Sequence, residues 1–168
     1  VRTVTGTGSG VISAAAAAVP SRLPDVPTSV VGVAGPSRVT VTWTAPSNDG
    51  GTGVASYRIQ YRVSGSATVT TVTPDILTPS TVGTVTGLTN GTAYEFSVAA
   101  INANGVGSYS AWSAPVTPAE LPNTPSAVTA TAGDAQVSLS WSAPSGNGSN
   151  VQSYKIEMSA NGGVSWST

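Results

Sequence analysis

The sequence predicts an all-β protein built on a β-sandwich, and three observations carry that expectation. From Ala93 to Ile101 the chain splits into two faces: Tyr94, Phe96, Val98 and Ala100 on one, Glu95, Ser97, Ala99 and Ile101 on the other. A spacing of two is that of a strand with one buried face. Thr, Ser, Val, Ala and Gly dominate while charged residues make up only 8%, a composition that suits strands better than helices. Finally, Val39–Pro46 and Val137–Pro144 align at an offset of 98 residues, as do Pro27 and Pro125. A period that long is a whole sandwich domain rather than a short solenoid unit.

The joins repeat as well. Leu23-Pro24-Asp25-Val26-Pro27 matches Leu121-Pro122-Asn123-Thr124-Pro125. Each Pro lacks an N–H and restricts the residue before it, which ends a strand and stiffens the connection. The expected organisation is therefore three units: 1–22 as the last two strands of a preceding copy, 23–120 as a complete domain, and 121–168 as the front half of a following copy.

Within 1–22, Val1–Thr5 reads as a strand, Gly6–Gly10 as a loop and Val11–Val19 as a second strand. The alanines at 14–18 leave a short helix as the alternative. In the complete unit, Thr28–Ala34 opens the first strand and Gly35-Pro36-Ser37 turns the chain. Arg38–Thr44 follows, with Val39, Val41 and Trp43 on one face. After the Gly/Asn/Asp loop Ser47–Gly53, Val54–Val63 alternates through Tyr57, Ile59 and Tyr61. Thr68–Thr73 is a weaker strand. Ser80–Thr86 leads to Leu88, with Val82 and Val85 assigned to the core. The Asn90-Gly91 turn precedes the Tyr94 strand, and Tyr109–Thr117, carrying Pro115, closes the sandwich as an edge. Seven short strands with turn chemistry between them are the sandwich signature.

The pattern Leu88, Thr92, Tyr94, Phe96, Val98, Asn102, with Trp43 and Tyr57 and their repeats Trp141 and Tyr154, resembles the fibronectin type III domain. The resemblance covers nearly the whole chain, although residues 1–22 carry no aromatic landmark. It implies a seven-stranded Greek-key, immunoglobulin-like sandwich in tandem copies. Trp43 takes the place of the family's core tryptophan. Tyr94 takes that of the tyrosine corner, where a ring is buried and its hydroxyl returns to nearby backbone. The implied structural core is Trp43, Tyr57, Leu88, Tyr94, Phe96, Val98, Trp141 and Tyr154. The Trp-Thr-Ala-Pro and Asn-Asp-Gly-Gly segments resemble those of bacterial members found in large surface or secreted proteins.

The residue inventory argues against chemistry. The chain has no His and no Cys, hence no imidazole base and no thiol nucleophile. Its seven acids, Asp25, Asp49, Asp75, Glu95, Glu120, Asp134 and Glu157, are scattered, and a glycosidase-type carboxylate pair is not expected. The six basic residues, Arg2, Arg22, Arg38, Arg58, Arg62 and Lys155, are scattered too, which argues against a nucleic-acid partner. No apolar run reaches the ~18 residues of a membrane span. No catalytic residue, cofactor or metal is assigned. The loop Ser47-Asn48-Asp49-Gly50 offers oxygens to Ca²⁺, but a plain turn is preferred, since its repeat Ser145–Asn150 has no carboxylate. Asn90-Gly91-Thr92 and Asn147-Gly148-Ser149 match the glycan-acceptor pattern, which Ser/Thr-rich chains meet by chance. Tyr109, Trp112 and Trp166 are candidates for packing between domains or, less favoured, for stacking on sugars.

The expected function is a non-catalytic structural or adhesive module outside the cell, on a cell surface or a virion, repeated into an extended rod or filament. Its expected partners are neighbouring copies, with surface glycans or proteins as further candidates. The alternative is a spacer or accessory binding module of a secreted polysaccharide-degrading enzyme, or a virion tail module. Two readings of the partial units stand. Either they are a window on a longer chain, or residues 1–22 complete residues 123–168 of a neighbour by strand addition, head to tail. Intact mass of the denatured source protein separates them: 16.6 kDa is expected of the assembling subunit and a much larger value of the window.

Overall fold

The computed structural model describes residues 4–9 and 20–168. Strands β1 (Val4–Thr5) and β2 (Gly8–Ser9) form an antiparallel hairpin pairing Val4 with Ser9 and Thr5 with Gly8. The expected loop Gly6–Gly10 is thus shortened to the Gly6-Thr7 turn, because a two-residue connection suffices to reverse a hairpin. The expected strand or helix at 11–19 lies outside the described residues, as do residues 1–3.

The complete sandwich spans seven strands: β3 (Thr28–Gly35), β4 (Arg38–Thr44), β5 (Ser56–Val63), β6 (Thr70–Thr71), β7 (Val82–Thr86), β8 (Tyr94–Asn102) and β9 (Gly105–Val106). One sheet runs β3-β4-β7 and the other β6-β5-β8-β9. The chain changes sheet between β4 and β5, returns at β7 and crosses again to β8, which is the Greek-key, immunoglobulin-like arrangement. Strands β5 and β8 pair without interruption from Ser56↔Ile101 to Val63↔Tyr94.

Between the sheets lie Val39, Val41, Trp43, Tyr57, Ile59, Val85, Leu88, Tyr94, Phe96, Val98 and Ala100, all buried. Val30, Val54, Tyr61, Val72, Ile76 and Val116 pack against them. Every member comes from residues 30–116, so this segment closes its own interior. Trp43 of one sheet meets Tyr57 of the other edge to face, with ring centroids 5.0 Å apart. The Tyr94 ring packs against Tyr61 at 5.8 Å, and its hydroxyl accepts a 3.1 Å hydrogen bond from the Thr89 amide. That is the tyrosine corner expected from the sequence.

The structure corrects four expectations. Val82 is not a core residue but 48% exposed. Strand alternation forces this: with Val85 facing inward, Gly83 rather than Val82 shares its face. A Cβ on Gly83 would lie 2.2 Å from Ile76 Cδ1, so the Ile76 side chain occupies the space a side chain there would need. The strand expected at Thr68–Thr73 contracts to β6. The reverse face of β8 is not open, since Ser97 and Ala99 are fully buried.

The fourth correction concerns Tyr109–Thr117, which is not a regular strand. Ser110, Ser113 and Val116 pair with Val98, Phe96 and Tyr94, three edge residues for every two of β8. The Ser110 and Ser113 amides donate to the Val98 and Phe96 carbonyls at 2.9 and 2.8 Å. Their hydroxyls accept from the Val98 and Phe96 amides at 3.0 and 3.1 Å. Ser side chains thus replace backbone carbonyls in the ladder, and Pro115 supplies no donor.

Beyond the sandwich, β10 (Ser126–Gly133) and β11 (Gln136–Ser142) form a hairpin. Its register repeats that of β3 and β4 at the offset of 98, including the irregularity between Thr28 and Val31, seen again between Ser126 and Thr129. Ser29 and Ala127 have φ of 53° and 51°, and Ser37 and Ala135 of 48° and 53°. Trp141 and Tyr154 repeat the edge-to-face contact at 5.1 Å. They do not form a closed core, however: Trp141 is only half-buried and Tyr154 is 40% exposed. Among the described residues no second sheet covers them. Accordingly, Trp43→Ala should lower the stability of the sandwich by ~3–5 kcal/mol in urea unfolding, whereas Trp141→Ala should leave that transition in place.

Candidate interaction surfaces

Four charged side chains, Arg58, Arg62, Asp75 and Glu95, meet on the outer face of the four-stranded sheet. On β5, Arg58 and Arg62 are four residues apart and so share a face. Arg62 lies directly across from Glu95 in the β5–β8 register, its Nε donating to Glu95 Oε2 at 2.7 Å. The Ser64 hydroxyl donates to the other carboxylate oxygen at 2.9 Å. Arg58 holds Asp75 with two hydrogen bonds of 2.8 and 2.7 Å. Planar guanidinium and carboxylate groups match in this paired geometry. The bonds from Arg58 hold the Asp75 carboxyl below the usual range. Arg62, then Ser64, do the same for Glu95.

The serine-bonded edge brings two aromatic rings to this face. The Arg62 guanidinium lies 4.3 Å from the centroid of the Trp112 ring, a cation–π contact. Three residues earlier, Tyr109 is half-buried beside Arg58, and burial raises its phenol above its ordinary pKa. Trp112 is therefore engaged within its own domain, where the sequence suggested a contact between domains. Trp166 is 62% exposed.

The second surface lies where the Pro-rich joins meet the loop after β4. Arg22 N donates to Gly50 O, and Asp25 N to Asn48 O, both at 2.9 Å. Asn102 Nδ2 ties the same place together by donating to Arg22 O at 2.7 Å and Asp49 O at 2.8 Å. The next join repeats the pattern in a loop one residue shorter: Glu120 N donates to Asn147 O at 2.9 Å and Asn123 N to Ser145 O at 3.1 Å. Asn147 Nδ2 adds a bond to Leu121 O at 2.9 Å. There the turn before β8 joins in, with Gly91 N donating to Pro118 O at 2.9 Å. Gly148 sits so close that a Cβ on it would lie 2.6 Å from Gly91 N and 2.7 Å from Pro118 O.

This geometry accounts for the loop Ser47–Gly50 as a turn. Asn48 Oδ1 accepts from Gly50 N at 2.8 Å and Asp49 Oδ1 from Gly51 N at 2.7 Å. Asn90 and Asn147, the two glycan-pattern asparagines, are both half-buried and hydrogen-bonded. Asn90 Oδ1 accepts from Ser37 N at 2.8 Å. Of the eight structural residues singled out in the sequence, Trp43, Tyr57, Leu88, Tyr94, Phe96 and Val98 come together in one cluster; Trp141 and Tyr154 stand apart from it. The Arg58–Asp75 and Arg62–Glu95 pairs were not anticipated. Their signal was two arginines on the polar positions of β5.

The family model for the fibronectin type III domain matches residues 25–117. Among curated proteins, Endoglucanase B of Cellulomonas fimi is 41% identical over 102 residues, which is 60% of this chain and 9% of that protein. The chain thus spans about a tenth of the length of that relative. Among solved structures, a set of titin domains is similar at 28% identity and TM-score 0.54, covering 58% of this chain and 32% of the other. The FN1–FN3 domains of chicken CNTN1 share the fold at 24% identity and TM-score 0.53, covering 71% and 42%.

Because the pKa of Asp75 is lowered by folding, its contribution is complete above the ordinary Asp range and is lost as pH falls through the depressed value. Asp75→Asn should cost at most about 1 kcal/mol at pH 7, given the partly exposed pair. It should also flatten the fall in stability below about pH 4. Urea unfolding of both proteins across that range checks this, and identical acid limbs would refute it.

Proposed function

Since the chain belongs to the fibronectin type III family, we propose that it serves as a non-catalytic spacer outside the cell, repeated into an extended array. The observation that carries this reading is the repeated bonding of each Pro-rich join to the loop after the second strand. A join tied down at two backbone positions holds its neighbours apart instead of letting them collapse on each other. The core and the charged face both support it. Arg58, Arg62, Asp75 and Glu95 neutralise one another, and Trp112 already carries a cation on its ring. Among the described residues no group of three His, Cys, Asp or Glu gathers to hold a metal ion, and no helix is long and apolar enough to cross a membrane.

The similarity to Endoglucanase B favours a more specific setting: a spacer between the functional domains of a polysaccharide-degrading enzyme. In that setting the module positions other domains and does not itself grip the polymer.

Small-angle scattering of the full chain tests the extended arrangement. A compact body of this length has a radius of gyration of about 15 Å; a clearly larger value with an elongated distance distribution is expected, and a value near the compact one would refute it. Sedimentation with insoluble cellulose should leave the chain in the supernatant, whereas retention on the polymer would replace the spacer reading with direct sugar recognition.

A further inference from the structure

The contact between the Gly91 turn and the Gly148 loop has a counterpart surface at the other end of the sandwich. Moved back by the repeat, Pro118 corresponds to Pro20, and Gly148, in the loop shorter by one, corresponds to Gly51. The backbone there is already set in the receiving conformation. Gly51 has φ of 86° against 96° for Gly148, and both lie in the left-handed region. Arg22 and Asp25 hold the loop as Glu120 and Asn123 hold its repeat. Pro20, Ser21, Arg22, Asn48, Gly50 and Gly51 line a hollow of about 240 Å³.

At the observed junction the equivalent place receives an Asn-Gly turn, which donates its glycine amide to the carbonyl of Pro118 and lies against a glycine with no side chain. We infer that the surface formed by Pro20 and Asn48–Gly51 is a docking site for the turn before the sixth sandwich strand of a preceding fibronectin type III domain. The turn's glycine N–H donates to Pro20 O, and Gly51 is glycine because a Cβ would strike that turn. This inference rests on the extended-array reading and adds a fixed angle between successive domains. The same angle at each junction turns a row of domains into a regular rod rather than a string of independent beads.

The test is a protein in which residues 20–117 are placed directly before residues 20–168, with segmental ¹⁵N labels distinguishing the two copies of Gly91. Residues 30–116 supply their own core, so the added segment folds as a unit. Hydrogen exchange at the first Gly91 amide should be slowed to a rate similar to that of the second, which bonds Pro118. Gly51→Asn in the second copy keeps a residue that tolerates positive φ but adds a Cβ. It should speed exchange at the first Gly91 by about fivefold and leave the second unchanged. If the first Gly91 exchanges as fast without the substitution as with it, the docking site does not exist, although an elongated scattering profile would leave the spacer reading standing. If both glycines exchange freely, the observed latch fails too, and the fixed angle falls with it.

Discussion

The two sheets are joined through one aromatic contact. Trp43 on β4 meets Tyr57 on β5, and around that pair the remaining core residues are fitted. The Trp43 indole N–H meets no partner in good hydrogen-bond geometry among the described residues, so ring packing and burial are the main hold on the pair. An aromatic ring supplies large apolar area at a defined orientation, which fixes the spacing of the layers. Once that spacing is set, the smaller positions follow. Gly83 must lack a side chain because Ile76 reaches into its place, and Ala100 is fully buried in the same core.

Tyr94 does a second job at the start of β8. Its ring is buried against Tyr61 while its hydroxyl takes the amide of Thr89, which sets the entry of the chain into β8. The Asn90-Gly91 turn lies between those two residues. The turn that meets Gly148 is therefore braced from inside the domain. Core, corner and join form one chain of contacts running from the middle of the sandwich to its neighbour.

Much of this was legible in the sequence because the signals are local or periodic. The alternation Tyr94, Phe96, Val98 placed β8 and its buried face, and the offset of 98 placed the second hairpin, though not its irregularity. What escaped has specific causes. Val82 and Val85 are both apolar, but three residues apart they cannot share a face, and only Gly83 revealed which was inside. At 109–117 the residues look like a strand, yet the serine hydroxyls compete with backbone carbonyls for the amides of β8, and composition does not announce that. The arginine pairs and the tied joins link residues far apart in sequence, as Asn102 with Arg22. The likeness of Trp141 and Tyr154 to Trp43 and Tyr57 is real at the level of the pair, but burial depends on a second layer.

The irregular border beside β8 bears on how similar modules could coexist. In the proposed array, neighbours on one chain would face each other at millimolar local concentration, where exchange of equivalent strands is a standing hazard. A border whose ladder positions are already filled by Ser110 and Ser113, and which is interrupted by Pro115, offers an incoming strand few free amides to grip. The left-handed residue Ser29 bends the opposite border out of register as well. Repetition of similar units would therefore carry its own protection against swapping, encoded in residues at the sheet borders.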